Sequence, residues 1–363
     1  MDDFDRDVYC IVGLPFDAID LAQTMNRLHD AKSNKVSCFL TTPNLNFLAL
    51  AQDDQDFRNS VLGSDIVIAD GAPIVWIAKL LGIPIRHRVA GSTLFEAIGG
   101  ETHRAMKVYF FGGQEGAGTE ASRRINEKST GLTCVGHYSP GFGTIDEMSE
   151  PKIINNINLS SADFLVVALG AKKGQAWIVK NLQKIKVPVV SHLGAVINFE
   201  AMRLKRAPVS FQKFGFEWLW RIKEEPKLWR RYWNDGRFFL RLLATKVVPQ
   251  AIWYRLNKKR LVGLSHKSTV TLNENNYARI IVSGALLDPV APDIRSLIRL
   301  ASLQQKNVEI DLVGAEYLGF SILGLLLLLK KQLDSQGLQL KIVGIQPDMR
   351  NFFNWNGLAY LIE

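Results

Sequence analysis

Over the first 200 residues, short apolar runs alternate with longer segments of helical spacing. The runs at 8–13, 36–40, 66–69, 107–111, 133–136, 163–168 and 187–191 are rich in Val, Ile, Leu and Phe. Runs of that length, bounded by Gly, Pro, Asn or Asp, read as buried strands. Between them, segments 17–30, 45–51, 74–81, 116–128, 153–158 and 177–182 repeat their apolar positions at helical intervals. This alternation predicts an α/β fold on a mostly parallel sheet. Polar residues and glycines recur just after the strands, and in open sheets that edge is where ligands bind. The layout suits a nucleotide or sugar-nucleotide site.

One stretch concentrates this chemistry. The run at 66–69 stops at Asp70-Gly71, a turn pair, and Pro73 opens an apolar helix. Asp70 is thereby expected at the carboxyl end of a strand, beside a helix N-terminus. A carboxylate there can act as a general base, a metal ligand or a cap. Arg88 and Gly91 follow: a cation, and a place where backbone can approach a phosphate. Gly112, Gly113 and Gly170 can likewise bring backbone N–H groups to a ligand, though glycines after strands also serve conformation alone. Thr42 and Asn44 flank Pro43, so they fit either turn chemistry or the binding of sugar hydroxyls. His137 and His192 sit near strand ends with no second His or Cys placed to complete a metal site.

From Arg203 to Arg260 the texture changes. Sixteen Lys and Arg stand against four Asp and Glu, about +12 locally, while the whole chain carries +9. The rest of the chain is therefore slightly acidic. The same segment holds Trp218, Trp220, Trp229, Trp233 and Trp253, and reads as amphipathic helices separated by Pro226 and Pro249. Basic and aromatic composition suits anionic ligands or an anionic membrane surface. Nucleic acid is not expected, because the basic groups alternate with Pro breaks and Trp clusters and no nucleic-acid motif is present. Residues 257–267 read as a polar linker. Beyond it, strands at 269–272, 278–284, 308–312 and 338–343 alternate with helices at 291–302, 322–332 and 347–355.

Cys10, Cys38 and Cys134 are far apart, which predicts neither a disulfide framework nor a zinc site. The acidic N-terminus has no signal-peptide pattern. The longest apolar run, 322–329, falls well short of the ~20 residues that span a bilayer. A cytoplasmic protein, peripheral on the inner membrane face, is expected.

The ordered pieces Thr42-Pro43-Asn44, Ala69-Asp70-Gly71, Arg88-Val89-Ala90-Gly91-Ser92, Phe110-Phe111-Gly112-Gly113, Gly141-Phe142, Leu169-Gly170-Ala171, Arg206-Ala207-Pro208, Glu217-Trp218-Leu219-Trp220-Arg221, Glu225-Pro226 and Arg230-Arg231-Tyr232 resemble the WecG/TagA/CpsF glycosyltransferases, glycosyltransferase family 26. The resemblance implies a Rossmann-like transferase domain over 1–200 with a helical basic appendage over 201–256. It implies inverting transfer from a UDP-sugar, often of the N-acetylmannosamine type, with no cofactor and no metal. The acceptor it implies is a polyprenyl-pyrophosphate-linked sugar, and the product a cell-surface or exopolysaccharide. Asp70 falls on the family's proposed base, and Thr42, Asn44 and Arg88 on its other site positions. Arg221, Arg230 and Arg231 are expected to close over the departing diphosphate. The family's Gly-x-Pro-Lys-Gln-Glu run is Gly170-Ala171-Lys172-Lys173-Gly174-Gln175 here, which leaves Lys173 and Gln175 as donor-binding candidates.

Residues 268–363 resemble a STAS domain, a small α/β fold, through Ile281-Val282-Ser283-Gly284, Ile310-Asp311-Leu312 and Leu318-Gly319-Phe320-Ser321-Ile322-Leu323-Gly324. Ser321 takes the phosphoacceptor position, but the preceding Asp is replaced by Gly319. The resemblance implies a docking or regulatory module with a protein partner, and a homo-oligomer is left open. The altered 172–175 run prompts a second reading: a non-catalytic regulator that senses a nucleotide sugar and acts through the STAS-like domain.

Overall fold

The computed structural model describes the chain apart from Met1, residues 203–206, 209–210 and 212–214, Ser265, residues 273–276 and Glu363. Arg203 and Arg206 of the basic stretch lie outside the described residues.

A hairpin of β1 (Val8–Ile11) and β2 (Leu14–Asp17) precedes the main sheet. That sheet comprises β3 (Cys38–Thr41), β4 (Ile66–Val67), β5 (Met106–Gly112), β6 (Leu132–Tyr138), β7 (Phe164–Ala168) and β8 (Val189–His192). Its order is β4-β3-β8-β7-β5-β6, with every pairing parallel. Successive side chains on a strand point to opposite faces, and the two cores divide accordingly. Val108, Phe110, Phe164 and Val166 pack on one face; Tyr109, Phe111, Leu165 and Val167 pack on the other. The helices that connect and cover these strands are α1 (Leu21–Asn34), α2 (Leu45–Asp53), α3 (Gln55–Leu62), α4 (Ala72–Leu81), α5 (Gly91–Gly99), α6 (Ala117–Lys128), α7 (Pro151–Leu159), α8 (Ala171–Asn181) and α9 (Val196–Glu200).

The first apolar run does not join the parallel sheet as the alternation suggests. It turns back at Val12-Gly13, both at positive φ, and pairs antiparallel with β2. A Cβ on Gly13 would stand 2.6 Å from the Gly357 carbonyl oxygen, so only glycine admits this approach.

The appendage consists of α10 (Glu217–Glu224), α11 (Trp229–Leu242) and α12 (Val248–Val262). Pro226 separates α10 from α11, as expected. Pro249 does not break the helix. A wider π turn over Leu243–Val247 carries α11 on into α12, with Pro249 in the first turn of α12. Residues 257–262 of the expected linker are thus the end of α12. Among the described residues no helix is long and apolar enough to cross a membrane.

The C-terminal unit has a four-stranded sheet in the order β12 (Leu340–Val343), β11 (Asn307–Leu318), β10 (Tyr277–Leu286) and β9 (Lys267–Leu272). Only the β9–β10 pairing is antiparallel. Helices α13 (Ala291–Ser302), α14 (Phe320–Ser335) and α15 (Pro347–Trp355) complete it. Every residue from Phe320 to Leu329 is buried. A helix that is apolar all round must be covered on all sides, and here the β1–β2 hairpin supplies the cover that the C-terminal unit lacks. Phe4, Val8, Cys10 and Leu62 join the same core as α14. Gly324 permits the contact, since a Cβ there would sit 2.1 Å from the Val8 carbonyl oxygen.

Ser321 is buried at the start of α14, where its N–H and Oγ both donate to Asp288 Oδ1, at 2.9 and 2.7 Å. A Cβ on Gly319 would lie 2.4 Å from that same oxygen. The carboxylate at this helix start thus comes from Asp288, and no side chain fits at 319. Adding charge at Ser321 places like charges together out of water. Ser321→Ala should cost about 1 kcal/mol and Ser321→Asp roughly 2 kcal/mol or more, read as lowered melting midpoints of the full chain.

Candidate active site

A cavity of about 700 Å³ opens at the carboxyl ends of β4, β3, β8 and β7, within the size range of small-ligand sites. Thr42 and Asn44 reach it after β3, Asp70 after β4, Gly170 after β7 and Leu193 after β8. The appendage forms its opposite wall through Glu217, Arg221, Arg231, Tyr232 and Asp235.

Asp70 is anchored by its backbone, whose N–H donates to the Pro43 carbonyl oxygen at 2.9 Å. The next helix begins at Gly71, with φ +138°, and has no side-chain cap. Instead, Asp70 Oδ2 receives the Gly91 N–H at 3.4 Å, at the start of α5. A Cβ on Gly91 would meet Leu193 at 2.5 Å, so glycine here serves close packing. Burial pushes the Asp70 carboxyl up to about 6; Arg88 opposes this, Glu217 reinforces it, and the Gly91 N–H opposes it slightly. A carboxylate so poised can exchange a proton near neutral pH.

Arg88 is not free. Its Nη2 donates to Glu217 Oε1 at 2.8 Å and its Nη1 to Glu217 Oε2, a two-pronged pair across 129 residues of sequence. Burial pulls the guanidinium down, but Glu217 and Asp70 outweigh it and hold it above its ordinary value. The pair joins the sheet side of the cavity to the first turn of α10, a helix with no fully buried residue. The sequence places Glu217 in a motif without giving it a role, and its partner cannot be read from spacing.

Arg221 stacks over Phe199 at 5.2 Å and bonds Glu225 at 3.1 Å, while its enclosed Nη1 finds no hydrogen-bond partner among the described residues. Arg231 lies 3.7 Å from Asp235, whose carboxyl burial raises. Thr42 is buried in the wall. Asn44 lines the cavity while its Oδ1 caps α2, accepting from Asn46 and Phe47, so the turn role and the lining role coexist. His192 also borders the cavity, with Nε2 donating to the Leu169 carbonyl oxygen at 2.6 Å, and burial lowers its basicity.

Other expected site residues lie elsewhere. Arg230 is outside the cavity, over the Trp229 ring at 5.6 Å. Gly112 and Gly113 do not line it; Cβ atoms there would strike the Ala168 carbonyl oxygen at 2.7 Å and the Ile197 side chain of α9 at 2.8 Å, so Gly112 admits the end of β7 and Gly113 admits α9. Lys173 donates to the Gly143 carbonyl oxygen, outside the cavity. Gln175 is fully buried, with Nε2 donating to Thr41 Oγ1 at 3.2 Å. Lys172, the other changed side chain, is exposed and paired with Asp54, so none of the altered 172–175 run lines the cavity. Among the described residues no group of three His, Cys, Asp or Glu could hold a metal ion.

The model described as "Glycosyl transferase WecG/TagA/CpsF family" matches residues 9–251, and that described as "Mlab, STAS domain" matches 271–363. An N-acetylglucosaminyldiphosphoundecaprenol N-acetyl-beta-D-mannosaminyltransferase of Bacillus spizizenii is 27% identical over 206 residues, covering 56% of this chain and 78% of that protein. Proteins of the same name from two Staphylococcus aureus strains are 24% identical over 214 residues and 23% over 224. Those matches cover 58% and 61% of this chain and 82% and 85% of theirs. Among solved structures, the phosphorylated form of the Bacillus cell fate determinant SpoIIAA matches at 19% identity and a TM-score of 0.24, over 27% of this chain and 89% of that one. With two thirds of its length matched by one family model, and the relatives named for one transfer reaction, the chain belongs to the WecG/TagA/CpsF family of glycosyl transferases and carries a STAS domain at its carboxyl end.

Proposed function

We propose that the protein transfers an N-acetylmannosamine-type sugar from its UDP donor, with inversion, to a sugar linked through pyrophosphate to a polyprenyl lipid, in the assembly of a surface or exported polysaccharide. The relatives' names supply the donor sugar and acceptor class. The observation that carries the reading is Asp70, the carboxylate on the sheet side of a cavity at the strand carboxyl ends, facing an arginine-bearing appendage across it. In this reading Asp70 accepts the acceptor hydroxyl's proton as that oxygen attacks the anomeric carbon. The bond to UDP breaks, and Arg221 and Arg231 balance the charge that grows on the diphosphate. Arg88, committed to Glu217, acts on the charge of Asp70 and on closure of the appendage rather than on the leaving group. The altered 172–175 run does not disfavour turnover, because its side chains lie outside the cavity.

The membrane side of the reading rests on the long helix. Trp229, Trp233, Leu240, Ile252 and Leu256 are exposed along it, with Lys227, Arg230, Arg237 and Arg241 also exposed. Trp at the headgroup level and cations on anionic lipid suit a protein lying on the inner face, each basic group adding ~1 kcal/mol. Reversing Lys227, Arg230 and Arg237 to Glu should abolish flotation with anionic liposomes; unchanged flotation refutes contact by this face.

Turnover of a UDP-N-acetylmannosamine donor with a lipid-pyrophosphate acceptor should fall by at least about a hundredfold in Asp70→Asn. Because the folded carboxyl is raised, ionising it costs native stability as pH rises through about 6. Asp70→Asn should therefore melt at or above the wild-type midpoint at pH 7.5, which separates lost chemistry from lost folding. The ascending limb of kcat/KM against pH should lie near 6. Glu217→Gln removes a charge that raises Asp70 and leaves Arg88 opposing it, so the limb should move to lower pH; a limb that stays or rises contradicts the assignment.

A further inference from the structure

Strand β4, which delivers Asp70, has only two residues and lies at the edge of the sheet, paired with β3 alone. So short an edge strand makes few ladder bonds, and its place must be fixed by other groups. Those groups gather just before it. The Ser64 carbonyl oxygen accepts from Arg6 Nη1 at 3.0 Å and from Lys331 Nζ at 3.1 Å. Asp65 Oδ1 accepts from Lys331 at 2.8 Å, and Asp65 Oδ2 accepts the Phe39 N–H of β3 at 2.9 Å. The Val67 N–H donates to Asp17 Oδ2 at 2.8 Å, and Asp17 in turn binds Arg6 and Arg27. Asp3 bonds both Arg6 and Lys331.

Three cations and three carboxylates thus enclose the entry to β4. One of the cations, Lys331, comes from the STAS domain, with 14% of its side chain exposed. It stands seven residues after Gly324, so both lie on one face of α14, the face pressed on the hairpin at Val8. Neither Lys331 nor the Asp3–Arg6 segment falls within residues 9–251, the span the transferase family model matches. The two ends of the chain outside that span meet at the strand bearing Asp70.

We propose that Lys331 is a positioning residue for Asp70: the STAS domain is wired in cis to the catalytic strand and sets its placement, rather than serving as a module that exchanges partners through α14. The proposal deepens the transferase reading and rests on it for the role of Asp70, but the wiring itself does not. Losing Lys331 leaves Asp3 and Asp65 short of a cation and the Ser64 carbonyl short of a donor, which loosens β4 where a small displacement of the base lowers the rate.

The test compares the full chain with Lys331→Met, Lys331→Arg and Arg299→Ala. Arg299 pairs with Asp2 and Asp5 at the outer rim of the same junction, away from β4. Amide hydrogen exchange over residues 64–70 should quicken about tenfold in Lys331→Met, recover in Lys331→Arg, and stay at the wild-type rate in Arg299→Ala. The turnover number should fall about tenfold in Lys331→Met with the donor KM within about twofold, and the pH limb should move. Wild-type exchange over 64–70 in Lys331→Met overturns the proposal, as does an equal effect of Arg299→Ala. If Lys331→Met does not fold, Asp3→Asn, which removes one partner of Lys331, replaces it under the same criteria. Faster exchange together with a wild type inert toward UDP-sugars would sink the transferase reading and leave the wiring standing.

Discussion

The carboxyl of Asp70 is raised first by burial, while Arg88, the neighbouring cation that opposes the rise, is already paired with Glu217. Glu217 holds Arg88 in a two-pronged pair and adds its own charge to the effect of burial, and the carboxyl rises to about 6. The same pair fastens α10 across the cavity. Proton affinity and closure are therefore one interaction seen from two sides, and both require an appendage that reaches back over more than a hundred residues.

The C-terminal helix α14 obeys a parallel logic. Its ten-residue buried run has too much surface for one small sheet to cover, and the excess is met by the β1–β2 hairpin of the transferase. Small residues mark each point of close approach: Gly324 at Val8, and Gly13 against Gly357. Ion pairs from Arg295 and Arg299 to Asp7, Asp2 and Asp5 ring the apolar contact. The acidic N-terminus, which has no partner when read alone, is the complement of α13.

The parallel sheet and the strand ends are legible in the sequence because both depend on local pattern. Helices 291–302 and 347–355 are legible to the residue, since Pro near the start and clear periodicity mark them. The first strand belongs to a different sheet from the one its pattern suggests, because an apolar run specifies burial and not which core accepts it. Its partner helix begins some 300 residues later. Helices α3 and α5 carry weak signals; Gly91 reads only as a place where backbone can approach a phosphate, and the helix that starts there is not anticipated. At the site, Thr42, Asn44, Asp70, Arg88, Gly91, Gly170, Arg221 and Arg231 converge on the cavity. Gly112 and Gly113 do not, and no sequence signal separates a glycine that admits a ligand from one that admits a neighbouring strand or helix. Gln175 and Lys173 are candidates by motif position alone, and the first turns of α8 point them into the core and toward the 143 loop.

The π turn ahead of Pro249 couples the parts of the molecule mechanically. Had the proline ended the helix, the aromatic stripe of α11 would hinge freely against α12. Instead α11 and α12 run on as one rod. At its near end the rod lines the cavity through Arg231 and Asp235. At its far end Trp253 stacks on Tyr317 at 6.0 Å, and Gln250 bonds Asn356 at 3.1 Å in the STAS domain. A rod clamped at both ends cannot tilt its exposed Trp229 and Trp233 without disturbing either the arginines or the C-terminal sheet. In the proposed transfer, a lipid-linked acceptor held at that stripe meets Asp70 at a distance set by the whole molecule, and the STAS domain shares in setting it without touching the substrate.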